Sequence, residues 1–76
     1  MGTKKEPGKY DCYAKAELDE PLFVLLARDK TAPQVVRHWI LLQPGGNATA
    51  NLPEKLREAY SCADAMQEWH KKNPRA

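Results

Sequence analysis

Four side chains in this sequence are of the types that ligate metals or attack electrophiles: Cys12, His38, Cys62 and His70. Zinc sites usually gather such residues in close pairs, so that one turn or one helix face presents two ligands at once. Here the steps from 12 to 38, 38 to 62 and 62 to 70 are 26, 24 and 8 residues, and no C-x-x-C occurs. No metal centre is expected. A cysteine nucleophile needs a base and an orienting group beside it. Cys62 falls midway along a helical pattern, where a cysteine serves as a small apolar side chain. Cys12 is flanked by Asp11 and Tyr13, and a neighbouring carboxylate disfavours the thiolate. Asp19 and Glu20 precede Pro21 and read as a turn or a cap. "PGGN" at 44–47 lacks the strand, the helix and the Lys-Ser/Thr ending of a phosphate loop. No enzyme and no cofactor are expected.

Binding is better supplied. Tyr10, Tyr13, Lys15, Arg28, Lys30 and Arg37 lie close along the chain. Aromatic faces and cations together could hold a nucleotide or another small anion; taken singly, they are ordinary surface residues. The formal net charge is +2, with 12 Lys and Arg spread among 10 acids. Nucleic-acid binders gather their cations on one face, so a nucleic-acid partner is not expected, although Lys55, Arg57, Lys71 and Lys72 would be its contacts. No apolar stretch approaches the roughly 18 residues of a membrane span. The expected setting is cytoplasmic, with both cysteines as free thiols. There the sequon at Asn47 to Thr49 carries no meaning.

These residues must be positioned by a small domain, since 76 residues bury only about 60% of their unfolded surface. Residues 1–9 read as a disordered tail and 10–73 as the domain, with a second tail at 74–76. "TAPQ" (31–34) and "NLPE" (51–54) share one grammar. Each gives a capping Thr or Asn, a proline in the first turn, and a Gln or Glu able to reach back. They predict helices over about 32–43 and 52–72, packed as an antiparallel hairpin. The second carries the stripe Leu52, Leu56, Ala59, Tyr60, Ala63, Met66 and Trp69, the spacing of one buried face.

The densest apolar run is "DEPLFVLLARD" at 19–29. As a helix it would start at Asp19; as a strand it would cover 22–28. Its length favours the strand, which must pair with residues 10–16 or with a second copy. The fold class expected is thus α+β, mostly helical: an arm and short strand over 10–29, then the helical hairpin.

The pattern DEP-x-F-x-L-x-A-x-D at 19–29, with "AP" at 32–33, Val36 and Trp39, resembles a motif of short, uncharacterised phage and bacterial proteins. "CYAKAE" (12–17) and "CADAMQEW" (62–69) are similar to that family's opening and closing segments. The middle, "ILLQPGGNATAN", departs from it by being more apolar and more loop-like. The resemblance implies a phage or prophage setting, in which a small protein modulates a host protein; it implies no activity.

Excess apolar surface points the same way. "WILL" at 39–42 makes one helix end apolar nearly all round, with Leu41 opposite Trp39. A single hairpin cannot cover this and both sides of residues 22–27. Phe23, Leu25, Trp39, Leu41 and Trp69 are therefore candidate interface residues, and the expected function is protein–protein interaction with self-association.

Overall fold

The computed structural model describes residues 1–48 and 50–74. Among them three helices follow one another: α1 over Cys12–Lys15, α2 over Ala32–Leu42 and α3 over Glu54–Lys72. Among the described residues there is no strand, so the expected α+β class is corrected to a helical fold. The reason lies in the partner. A strand needs a second one beside it, and the segment nominated for that, residues 10–16, is taken up by α1. Asp11 accepts a hydrogen bond from the Ala14 amide at 3.2 Å and starts the helical turn. Residues 20–26 then run with no helix, turn or bend: straight, but unpaired.

α2 and α3 pack antiparallel. Arg37 on α2 meets Asp64 and Gln67 on α3, while Ile40, one turn later, packs with Leu56 and Ala59. The partner's number falls as α2 advances. The core is small: Ile40, Leu56 and Ala59, flanked by Met1, Val36, Trp39 and Tyr60, with Ala32 and Ala63 also buried. Alanines one turn apart at 59 and 63 give α3 a low ridge against which α2 can sit. Among the described residues Ile40 is the one large side chain fully buried, contributing about 1.5–3 kcal/mol by its burial. Of the expected stripe, Leu52 falls before α3; the face is buried at Leu56, Ala59 and Ala63 and fades toward the helix end, where Trp69 is exposed.

The expected caps are built differently. The Thr31 side chain makes no capping bond; its hydroxyl donates to Asp29 Oδ1 at 2.7 Å, as does its amide at 2.9 Å. Asn51 stands outside α3 with a φ of 58°, and Pro53 occupies the cap position. At the far end Asn73 closes α3, its amide donating to the His70 carbonyl and its Nδ2 to that of Trp69. His70, Lys71 and Lys72 lie in the last turn, where cations oppose the helix dipole.

Between the helices the chain folds back tightly. The Gly46 amide donates to the Gln43 carbonyl at 2.9 Å, and Gly46 is buried. A Cβ on it would collide with the Ile40 carbonyl, so only glycine lets the loop backbone cross the end of α2 this closely. Thr49 of the sequon and residues 75–76 of the expected C-terminal tail lie outside the described residues.

Candidate functional site

Residues 1–9 contain no helix or strand, yet the arm they begin is tied down to α3. Glu58 accepts the Lys9 amide at 2.8 Å, the Tyr10 amide at 3.0 Å and the Met1 ammonium at 3.3 Å. One turn earlier on the same face, Glu54 takes the Lys9 ammonium at 3.0 Å and the Tyr10 hydroxyl at 3.3 Å. The Met1 ammonium also donates to the Pro7 and Tyr10 carbonyls, each at 2.6 Å. Gly8 adopts a φ of +82°, and a Cβ there would press on Glu58 and the Met1 carbonyl. The arm can thus lie against α3 only with glycine at this place.

These bonds set the charges. Desolvation pushes the Glu58 carboxyl up, but the Lys9 and Tyr10 amides and the Met1 ammonium together outweigh it, leaving it below its ordinary value. The Lys9 ammonium, by hydrogen bond and charge, holds Glu54 low and is itself raised by that carboxylate. Asp29 is lowered by the Thr31 hydroxyl and amide. Burial pushes the Cys62 thiol up, which favours the unreactive protonated form.

Beyond the clamp, an open groove of about 600 Å³ runs between the arm and the apolar run, lined by Tyr10, Cys12, Tyr13, Phe23, Val24 and Leu25 among others. A smaller one of about 230 Å³ adjoins it, with Arg28, Met66 and Trp69 in its wall. The proposed anion-binding residues divide among these places. Tyr10 and Tyr13 share the larger groove, and the Lys15 ammonium lies 5.7 Å from the centre of the Tyr10 ring. Arg28 borders the smaller groove. Lys30 is exposed in the turn before α2. Arg37 is bound to Asp64 and Gln67, both at 2.9 Å. Of the six, Lys15 stands at the Tyr10 ring and Tyr13 shares the groove with it; the other three lie elsewhere.

The proposed interface residues also separate. Phe23 is 87% exposed, and Leu41 and Trp69 are exposed as well. Leu25 is half-buried in the groove wall, and Trp39 packs on the core. Among the described residues, no three His, Cys, Asp or Glu side chains converge as they would around a metal ion. No helix among them is long and apolar enough to cross a membrane.

Sequence reasoning missed Glu54 and Glu58 as the organisers of the arm. Their spacing, one turn apart on α3, was visible; the Lys9 and Tyr10 groups they bind lie 44 to 49 residues away, and no local pattern marks such a contact. Comparison with protein-family models, with curated proteins and with solved structures finds no match to this chain.

Proposed function

We propose that this chain is a small non-enzymatic interaction module, which engages another protein through residues 22–26 and the groove beside them. One observation carries the reading. Leu22, Phe23, Val24 and Leu26 are 52%, 87%, 57% and 52% exposed, adjacent, and held in no helix or strand. Contiguous apolar surface of this kind marks interaction sites rather than the ordinary scatter of exposed apolar residues. Covering one such side chain completely contributes about 1.5–3 kcal/mol. Association itself costs roughly 4–15 kcal/mol. Three half-exposed side chains and a largely exposed Phe23 therefore support binding of modest strength, and a tighter complex needs the groove to be filled too.

The reading places the protein in the cytoplasm. The phage-type role of modulating a host protein rests on the motif at 19–39 alone. Photo-crosslinking tests the interaction. Phe23→benzoylphenylalanine, irradiated in cells that naturally make the protein, should give a defined protein adduct, whether to another copy or to a different chain. The same photoreactive group at Ser61, on the exposed side of α3, should give none. Absence of an adduct from position 23 would overturn the proposal.

A second reading has its own observation. Tyr10 and Tyr13 line one groove with Lys15 over the Tyr10 ring, an arrangement suited to a small planar anion. Native mass spectrometry of the purified protein distinguishes the two: a defined retained mass of a few hundred daltons, lost in Lys15→Ala, would place a small molecule in the groove.

A further inference from the structure

Resting on that interaction reading, we infer that the protein engaging residues 20–26 is an endopeptidase, which cuts the chain at the Phe23–Val24 bond. Such an enzyme holds its substrate as an added strand, through the amides and carbonyls on either side of the bond. The segment must therefore be exposed, extended and free of hydrogen bonds of its own. Residues 17–24 are exposed without interruption, and 20–26 lie in no helix, turn or bend. Among the described residues, the carbonyls of 21–25 and the amides of 22–26 have no backbone partner. Pro21 helps to keep the run open, since a proline disfavours helix at the residue before it.

The side chains select the bond. Phe23 is the most exposed apolar residue of the run, and a free aromatic ring suits a peptidase with a deep apolar pocket. Other exposed apolar residues are less open to that enzyme. Leu18 stands in a turn that the Glu20 amide closes on the Glu17 carbonyl. Tyr13, Leu41 and Trp69 lie within helices, where the backbone must unwind before it can pair with an enzyme. Residues 2–9 are also exposed but carry no large apolar side chain. The reaction adds water across the bond: the Phe23 carbonyl carbon gains an oxygen and ends as a carboxylate. The Val24 nitrogen takes both protons of the water and leaves as an ammonium. Ile40, Leu56 and Ala59 all follow the cut, so the hairpin outlasts it, and the arm keeps its bonds to Glu54 and Glu58. Phe23 and Val24 both line the larger groove. The cut thus opens one wall of that groove on a scaffold that stays folded.

The test treats the full folded chain with a trace of chymotrypsin and follows the products in time by mass spectrometry. Fragments 1–23 and 24–76 should appear first, about tenfold or more ahead of cuts at Tyr13, Leu41 or Tyr60. Phe23→Tyr should keep this cut and Phe23→Ala should slow it by a similar factor, both with unchanged helix content. In cells that naturally make the protein, N-terminal sequencing should find a chain that begins at Val24, lost in Phe23→Ala. A first cut elsewhere in the folded chain overturns the inference, and so does finding only the uncut chain in those cells. An adduct from the photoreactive group at position 23 would then still uphold the interaction reading; its absence as well would sink both.

Discussion

Glu58 accepts the backbone amides of both Lys9 and Tyr10, at 2.8 and 3.0 Å, across 49 and 48 residues of sequence. A carboxylate bound to two successive amides fixes the direction of the chain as well as its position. Glu58→Gln keeps one acceptor oxygen and loses the charge. Amide exchange at Lys9 and Tyr10 should quicken in this variant, while that of core amides such as Ala59 should not. Equal acceleration everywhere would mean that Glu58 supports the whole fold rather than the arm.

Acid should release the arm first. Glu54 and Glu58 are held below their ordinary value of 4.5 in the folded chain, so the folded state binds fewer protons than the unfolded one. Their contribution to stability is complete above the unfolded value and is lost as pH falls through the folded ones. Stability should change little from pH 7 to pH 5 on their account and should decline below about 4.5, with Tyr10 fluorescence changing before helix content. Lys9, raised by Glu54, contributes in the opposite sense. Its share is complete below 10.5 and is lost as pH rises through the folded value.

Ile40 is the one large side chain with no exposure among the described residues. Ile40→Ala should cost about 2–5 kcal/mol and Ile40→Val about 0.5–1.5 kcal/mol. A domain this small has only several kcal/mol in total. The alanine variant should therefore be largely unfolded at 25 °C by circular dichroism, and the valine variant folded with a lowered Tm.

The two glycines of the loop should behave differently. Gly45 has a φ of +79°, and a Cβ there would come within 3.2 Å of the Pro53 ring, so Gly45→Ala meets a backbone cost of about 1 kcal/mol and a small displacement of that ring. Gly46→Ala drives a methyl into the Ile40 carbonyl and should displace the loop from the end of α2. Urea titration should show the second variant to be the less stable; the reverse order would mean that the loop does not cross α2 as described.

The helical hairpin was legible in the sequence because Leu56, Ala59 and Ala63 recur at the helical period. Pro33, Pro44 and Pro53 bracket the elements, so the observed bounds lie within two residues of those expected. The strand over 22–28 was misread for a different reason. An apolar run free of helix, turn and bend is a local property, visible in Leu22 to Leu26, whereas a strand also requires a neighbour, and Asp11 diverts that neighbour into a helical turn. Of the site, the exposed Phe23 was legible from its apolar context. The Glu58 clamp was not, because an acceptor for distant backbone amides looks the same in sequence as a solvated acid.

The arm's attachment also orders events in time. The hairpin closes over the short span from Gln43 to Pro53, whereas docking Lys9 on Glu58 closes a loop of 49 residues. Loop-closure entropy makes the longer one costlier by about 1 kcal/mol. Docking is therefore expected to follow helix pairing, with its contacts absent from the folding transition state. Loss of the Glu58 bonds should consequently speed unfolding and leave the folding rate almost untouched. The clamp thus acts as a brake on opening, and a chain without it would fold as fast but stay folded for less time.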